Sequence, residues 1–169
     1  MAEQMNEQER REKLSKLVAE FDTAMLVTRT AQGQLRSRPL AIAQAGDDGT
    51  FYFATSIESG KVHEVEGDDQ VNVSLQKGRS FVSVSGRARI EQDRRLIDRL
   101  WKEDWKVWFP KGKDDPSLCL LAVDPTDAEY WDASGVTGLR FLFQAAKAYA
   151  TGTRPPRADD AQSSKVRLP

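Results

Sequence analysis

The sequence predicts a mainly β protein with peripheral helices, in which short strands form a closed or partly closed antiparallel barrel. Two observations favour this class. Six or seven short apolar or alternating segments follow one another, several of them separated by brief glycine-containing turns. Long helical crossovers, which parallel strands require, do not separate the first of these segments. We therefore expect an antiparallel meander rather than a βαβ arrangement.

The first third of the chain contains one predicted helix and three predicted strands. Residues 6–21 carry apolar side chains at helical spacing, at Leu14, Leu17, Val18 and Phe21. Charged residues fill most of the remaining positions, so the helix is amphipathic. Glycine-containing turns at 31–34 and 46–49 then separate short apolar segments. The predicted strands are 24–29, 35–44 and 50–55.

The rest of the barrel follows after a short helix. Ser59 is of a type that caps helices, and we expect it to open a helix over 60–66. Residues 81–90 alternate between apolar and polar side chains, as in a half-buried strand. Asp93 is a candidate cap for a helix that runs to about residue 105. The other predicted elements are strands at 71–76, 118–123 and 128–131 and a short helix near 139–149.

One domain accounts for most of the chain. Its 169 residues are enough for a single hydrophobic core. We assign residues 1–150 to this domain, including the N-terminal helix. Residues 151–169 are predominantly polar and cannot bury enough apolar surface to order themselves, so we expect a flexible C-terminal tail.

Composition excludes several classes of function. A formal net charge of −1 argues against binding to nucleic acid or to an anionic membrane. The N-terminus does not resemble a signal peptide, and no apolar run is long enough to span a bilayer. Cys119 and His63 are the only residues of their types, which argues against a disulfide framework and a zinc site. We expect a cytoplasmic protein, without a metal, whose reactivity comes from a cofactor.

Two arginines on the second predicted strand form the first candidate anion site. Arg36 and Arg38 are two residues apart, so in an extended chain they point to the same face. A guanidinium binds phosphate through two parallel hydrogen bonds, and a pair on one face makes a good clamp. Pro39 follows and cannot donate to a strand ladder, which indicates an edge or a bulge. The alternative is a solvated basic face on an edge strand.

The second candidate anion site runs from the end of the third strand to the start of the next helix. A helix N-terminus offers unpaired N–H groups and a partial positive charge. Thr55 and Ser59 add hydroxyls, and Lys61 adds a full charge. Gly60 permits close backbone approach. The alternative is plain capping by Ser59 with Lys61 at the surface. Because the two segments are neighbours in the meander, both can serve one phosphate.

Three of the four tryptophans lie between positions 101 and 108. Such a group fits an aromatic-lined ligand site, and it fits a tight dimer interface equally well. Both interpretations stay open for Trp105 and Trp108. Trp101 lies on the apolar stripe of its predicted helix, so we assign it to core packing.

Five motifs occur in a specific order along the chain. They are Arg36-Ser37-Arg38-Pro39, the Phe-Ala-Thr-(x)3-Ser-(x)-Lys stretch from Phe53 to Lys61, Ser83-Val84-Ser85-Gly86, WKVWFP from Trp105 to Pro110, and Glu129-Tyr130-Trp131-Asp132. Their order resembles that of the general stress protein 26 family, which belongs to the pyridoxamine 5′-phosphate oxidase-like split barrels. The resemblance covers about residues 10–150.

This resemblance implies a six-stranded antiparallel split β-barrel that forms a homodimer and binds FMN, or else FAD, at the subunit interface. It implies that Arg38 and Lys61 hold the phosphate, assisted by Thr55 and Ser59. Trp131 matches the position from which the oxidases place a partner-chain tryptophan near the isoalloxazine. The complete implied cofactor site is Arg36, Ser37, Arg38, Pro39, Phe53, Ala54, Thr55, Ser59, Lys61, Trp108 and Trp131.

The chain departs from the true oxidases at their substrate site. The oxidases follow the interface tryptophan with an Arg-x-His-x-Arg stretch, whose positions here are Thr137, Leu139 and Phe141. Gly60 replaces an arginine beside the phosphate lysine, and Phe81 replaces a glutamine. Without those cations a phosphorylated vitamin has little to anchor it. We therefore do not expect pyridoxamine 5′-phosphate oxidase activity.

Three functions remain open from the sequence. The first is a flavin-binding general stress protein, in which no side chain is assigned a catalytic role. The alternative is a flavin-dependent oxidoreductase with an unidentified substrate. The third is a flavin-free module that has kept only the barrel and the dimer.

Overall fold

The structure, a computed structural model, describes residues 18–45, 49–132 and 163–167, together with positions 6, 8, 9, 12 and 16. Strands dominate this part of the chain, and every strand pair in it is antiparallel. The strands are β1 Thr23–Arg29, β2 Leu35–Ala45, β3 Phe51–Ser56, β4 Gln70–Lys77, β5 Ser80–Glu91, β6 Leu118–Asp132 and β7 Ser163–Arg167. The helices are α1 Gly60–Gly67 and α2 Arg94–Leu100, with 3₁₀ turns at Glu103–Val107 and Gly112–Asp114.

Strands β1 to β6 form a closed barrel. Neighbouring strands follow the order β3-β2-β1-β4-β5-β6, and β6 pairs back onto β3 from Phe51↔Val123 to Ser56↔Leu118. This last pairing leaves neither β3 nor the first half of β6 with a free edge inside the barrel. The six-stranded antiparallel split barrel predicted from the sequence is therefore confirmed.

Apolar alternation builds the barrel core, as the sequence pattern predicts. On β5, Val82, Val84 and Ala88 are buried, whereas the intervening Ser85 and Arg87 are exposed. Alternate residues of the other strands meet them inside the barrel and remove a continuous apolar surface from water. The core residues from β1, β3, β4 and β6 include Ala24, Leu26, Phe51, Phe53, Val71, Val73, Leu75, Leu121, Val123, Ala128 and Tyr130.

A second, smaller core covers the outside of β6. Leu118 and Leu120 pack there with Ile97 and Leu100 of α2, with Trp105 of the first 3₁₀ turn and with Phe109, which follows that turn. Leu121 and Val123 face the barrel core instead. The first half of β6 is therefore buried on both faces, which explains its unbroken apolar run.

Two predicted boundaries differ in the structure. The helix expected over 93–105 ends at Leu100, because Trp101 turns to extended backbone and stacks edge-on against Trp105. The strands expected at 118–123 and 128–131 are one strand, β6, whose register with β5 shifts between Ser85 and Gly86. A Cβ on Gly86 would lie 2.5 Å from a carbonyl oxygen of β6, so this close approach requires glycine.

Helical positions precede the barrel, and a seventh strand is added to it. Of the helix predicted over 6–21, positions 8, 9, 12, 16 and 18 are helical, whereas position 6 and residues 19–21 are not. The other positions of that helix, and the helix expected at 139–149, lie outside the described residues. Ser163–Arg167, in the segment expected to be a flexible tail, pairs as β7 with β6. Its register places Lys165 opposite Glu129. Within the described residues, no helix is long and apolar enough to cross a membrane.

Candidate functional site

Two adjoining cavities lie beside β2, the end of β3 and the start of α1. The first, which we call the aromatic cavity, has a volume of about 440 Å³ and is lined by Pro39, Leu40, Ala41, Ala54, Thr55, Ser56, Ser59, Lys61, Trp105, Trp108 and Phe109. The second, which we call the basic cavity, has a volume of about 410 Å³ and is lined by Arg36, Arg38, Pro39, Leu40, Gly60, Lys61 and Glu64. Three residues, Pro39, Leu40 and Lys61, line both cavities, so the two are neighbours at Lys61.

The Lys61 ammonium lies among hydroxyl groups. Its Nζ donates to Thr55 Oγ1 at 3.0 Å, and the Thr55 hydroxyl is 3.3 Å from that of Ser59. Burial lowers the pKa of Lys61, and the positive charge of Arg38 lowers it further. Both effects disfavour the charged form of the lysine. The negative charge of Glu64 raises this pKa but offsets the other two effects only in part, so an anion placed beside the ammonium would relieve the remaining electrostatic cost.

Ser59 does not cap its helix through its side chain. It occupies the N-cap position of α1, as the sequence predicts, with extended backbone. No helix N–H donates to its side chain, because the Ser59 hydroxyl contacts Thr55 instead. The first N–H groups of an α-helix have no partner within the helix. The start of α1 thus offers backbone donors next to Lys61.

Arg36 and Arg38 lie on the same face of β2, as predicted, but both bind a carboxylate of the protein. Arg36 donates to Glu64 Oε1 at 2.9 Å, and Arg38 donates to Glu64 Oε2 at 2.7 Å. Arg38 also donates to Thr28 Oγ1 at 2.6 Å, and the Thr28 hydroxyl donates to Glu64. We call these four residues the glutamate cluster. The predicted clamp therefore already holds one internal anion.

Burial differs within the glutamate cluster. The Arg38 side chain is 17% exposed and that of Glu64 is 9% exposed, whereas the Arg36 side chain is 60% exposed. Burial alone would raise the pKa of Glu64. The hydrogen bond from Thr28 and the charges of the two arginines outweigh burial and hold this pKa below its ordinary value. Glu64 is thus a stable carboxylate that fixes Arg38 and leaves Arg36 in contact with solvent.

The structure brings together most, but not all, of the predicted site residues. Trp108, Ala54 and Pro39 line the aromatic cavity with the Lys61 group. Phe53 is fully buried in the barrel core, so only its backbone can reach a ligand. Two other predicted residues, Ser37 and Trp131, line neither cavity. Ser37 is exposed on β2.

Trp131 lies in a separate groove on the outer face of the barrel. It stands opposite Phe81 in the pairing of β5 with β6. The groove has a volume of about 420 Å³, and Met25 contributes to its lining. Within one chain, Trp131 therefore does not share a cavity with Lys61.

Several site residues were missed by sequence reasoning. Glu64 lies one helical turn after Lys61, and this i, i+3 spacing is a signal that could have placed it on the same side of α1. Thr28 offers no local signal, because it joins the cluster only through the β1–β2 register that sets it opposite Arg36. Leu40, Ala41 and the buried Phe109 complete the aromatic cavity.

The chemistry of this region is that of anion binding. Lys61 and the two arginines contribute three positive charges against the one negative charge of Glu64, a net of +2. Cys119 is the nearest nucleophile candidate, but burial raises the pKa of its thiol to about 11. Its Sγ is 3.4 Å from the carbonyl oxygen of Thr55, in donor geometry. A buried thiol of this kind is inert at neutral pH.

A protein-family model matches most of the chain. Residues 9–156 match the family described as pyridoxamine 5′-phosphate oxidase like. The chain belongs to this family. General stress protein 26 of Bacillus subtilis (strain 168), a curated relative, is 30% identical over 138 residues, which are 79% of this chain and 96% of that protein. The family predicted from the five motifs is thereby confirmed.

Solved structures of family members have the same fold. General Stress Protein 26 from Bacillus anthracis str. Sterne gives a TM-score of 0.66 at 25% identity, covering 72% of this chain and 92% of that chain. The general stress FMN/FAD binding protein from the phytopathogen Xanthomonas citri gives a TM-score of 0.66 at 29% identity, covering 76% of this chain and 92% of that chain. The motif order thus identified both the family and its barrel.

Proposed function

We propose that this protein binds FMN as a general stress protein of the pyridoxamine 5′-phosphate oxidase-like family. The Lys61 group is the observation that carries the proposal. One partly buried ammonium, two hydroxyls and the start of a helix meet where an aromatic cavity adjoins a basic one. In the proposal, Lys61 and Arg38 hold the phosphate, with Thr55 and Ser59 assisting.

The net charge of the side chains around the basic cavity matches that of a flavin phosphate. A phosphomonoester carries about −1.5 to −2 charges at neutral pH, and the side chains of the basic cavity sum to +2. Helix N-termini and hydroxyls are common phosphate donors. The glutamate cluster supports the same assignment, because Glu64 binds the two arginines, while the Lys61 ammonium donates to the Thr55 hydroxyl and forms no ion pair within the described residues.

The aromatic cavity fits the rest of the ligand. Its volume of about 440 Å³ lies within the range of roughly 300–1,000 Å³ that is typical of small-molecule sites. Trp105 and Phe109 are buried, and Trp108 is 71% exposed at the cavity wall. Flat aromatic side chains provide stacking surface for a ring system. A bound flavin would supply redox chemistry, while the chain supplies phosphate anchoring and an apolar wall.

We also propose that the protein is a cytoplasmic homodimer in which the partner completes the site. The outer groove at Trp131 leaves Met25 and Phe81 partly exposed, and Trp108 is exposed at the aromatic cavity. Exposed aromatic and methionine side chains are typical of protein interfaces. The family resemblance assigns a partner-chain tryptophan to the position of Trp131. Cys119, the one cysteine of the chain, is buried, which fits a reducing compartment.

Titration with FMN tests the proposal directly. We expect saturable quenching of tryptophan fluorescence, a perturbed flavin absorbance spectrum and one FMN bound per chain, with sedimentation showing a dimer. Absence of FMN binding would contradict the proposal and favour a flavin-free module. Rapid bleaching of the bound flavin by NADH or NADPH, followed by reoxidation with an acceptor, would identify the oxidoreductase alternative.

A further inference from the structure

We propose that β7 is a positioning element for Trp131, so that a strand outside the barrel controls the flavin-ring half of the site. Its residues, Ser163–Arg167, pair with Asp127–Trp131 of β6. β7 lies beyond residues 9–156, which the family model matches. The inference rests on the proposed function, because it takes Trp131 to reach the flavin ring bound by the partner.

The two halves of β6 have different neighbours. The first half pairs with β3, up to Val123, and with β5 on its other side. The second half, from Asp127 to Trp131, pairs with β5 on one side and with β7 on the other. Without β7, this second half would be an edge with a row of unpaired N–H and C=O groups. β7 therefore converts it into an interior strand.

Trp131 lies where this pairing has most influence. It is the last residue but one of β6, and its backbone stands between Phe81 of β5 and Ser163 of β7. Its side chain is half-buried and lines the outer groove with Phe81 and Met25. The ends of secondary-structure elements open most easily. Pairing on both sides therefore limits the positions that the indole ring can take.

The barrel and the phosphate site do not depend on β7. Because β6 pairs back onto β3, strands β1 to β6 close the barrel by themselves. The described residues that line the aromatic and basic cavities belong to neither β6 nor β7. Loss of β7 pairing should therefore change the surroundings of the flavin ring and leave phosphate anchoring intact.

Proline substitution separates the backbone of β7 from its side chains. Proline has no N–H to donate to a strand ladder. Alternate residues of an antiparallel strand bond to a given neighbour, so Ser164→Pro combined with Lys165→Pro removes a donor to β6 whichever of the two residues provides it. We call this double substitution the proline variant. Ser164→Ala combined with Lys165→Ala, the alanine variant, changes the same side chains and keeps both N–H groups.

The test is a double-mutant cycle of the proline variant with Trp131→Ala, in which flavin absorbance and anisotropy give the Kd. We expect the proline variant to raise the Kd of FMN and of riboflavin alike, by about three- to tenfold. The alanine variant should keep the wild-type values. In the Trp131→Ala background the proline pair should raise the Kd no further, because two changes that act through one contact are not additive. A structural role independent of Trp131 would multiply the two effects.

Four results would overturn the inference while FMN binding persists. They are a proline variant with wild-type affinity, an affinity loss confined to FMN, an alanine variant that matches the proline variant, and effects that multiply in the combined variant. If the proline variant does not fold, Ser163→Pro, directly opposite Trp131, takes its place. Failure of the wild type to bind FMN would instead contradict the proposed function, and this inference with it.

Discussion

The glutamate cluster and the Lys61 group are built from similar residue types but differ in how their charges are compensated. In the glutamate cluster, the carboxylate of Glu64 binds both arginines and accepts from Thr28. In the Lys61 group, the ammonium is bound to the hydroxyl of Thr55, and burial lowers its pKa. The charges of the glutamate cluster are paired, whereas the charge of Lys61 is only partly compensated by the more distant Glu64.

This difference separates a structural role from a binding role. Breaking an internal ion pair leaves a buried charge unpaired, so such a pair affects folding when one partner is removed. A cation in a cavity whose charge is only partly compensated contributes little to folding but favours an anionic ligand. The glutamate cluster should therefore determine stability, and the Lys61 group should determine affinity. The predictions below test this division.

Removal of the Glu64 carboxylate should have the largest effect. Glu64→Ala leaves the mostly buried Arg38 without its carboxylate partner. We therefore expect the free energy of unfolding to fall by about 3 kcal/mol. Urea denaturation at pH 7 measures the change. Glu66→Ala on the same helix is the control, since Glu66 is exposed and its ion pair among the described residues is with the exposed His63. Its effect on the free energy of unfolding should stay within about 0.5 kcal/mol. Equal effects of the two variants would contradict the division.

Acidification should remove this stabilisation. The pKa of Glu64 lies below its ordinary value of 4.5 in the folded protein, so the native state favours the carboxylate form. Its contribution is complete above the unfolded pKa and is lost as the pH falls through the folded pKa. The stability gap between the wild type and Glu64→Gln should therefore narrow below about pH 4.5. If urea denaturation shows a stability difference that widens on acidification, the pKa of Glu64 is raised rather than lowered by folding.

Arg38 connects the two groups and should affect both properties. We expect Arg38→Ala to weaken FMN binding at least about tenfold, because a charge-assisted hydrogen bond to the phosphate is lost. The same variant should also have a lower free energy of unfolding, since Thr28 and Glu64 each lose one of their hydrogen-bond partners. Fluorescence titration and urea denaturation measure the two effects. Arg87→Ala, which removes an exposed arginine paired with Asp69, is the control. Unchanged FMN affinity in Arg38→Ala would remove Arg38 from the phosphate site.

Trp108 should give the smallest effect. It is 71% exposed, so Trp108→Ala should leave thermal stability unchanged. Loss of a stacking surface should weaken the binding of FMN and of riboflavin alike, by about three- to tenfold. Val107→Ala provides the matched control, because Val107 is its exposed neighbour and does not line the aromatic cavity. If Trp108→Ala loses affinity for FMN but not for riboflavin, Trp108 lies near the phosphate instead of the ring.

Most of the fold could be predicted from the sequence because alternation is a local signal. The predicted strands at 71–76 and 81–90 lie within β4 and β5, and Asp93 accepts a hydrogen bond from Arg95 as a helix cap. β7 could not be predicted, because a short polar segment becomes a strand only where another strand offers it an edge. That edge is the second half of β6, beyond the end of β3.

The candidate site was predictable where the residues share one segment. Thr55, Ser59 and Lys61 follow one another along the β3–α1 connection, and the structure joins them. The partners of the arginines were not predictable, because Glu64 and Thr28 reach them only after β1, β2 and α1 have packed together. Ion pairs between residues of different strands and helices depend on how those elements pack, and a short sequence motif carries no information about that packing.

A comparison of FMN with riboflavin, in the wild type and in Lys61→Met, tests the central role of Lys61 most directly. Riboflavin lacks the phosphate but keeps the ring. We expect wild type to bind FMN at least about tenfold more tightly than riboflavin and Lys61→Met to lose most of that preference. Lys106→Met, which removes a surface ammonium paired with Glu103, should keep the preference. Equal affinities of the wild type for FMN and riboflavin would contradict the assignment of Lys61 to the phosphate.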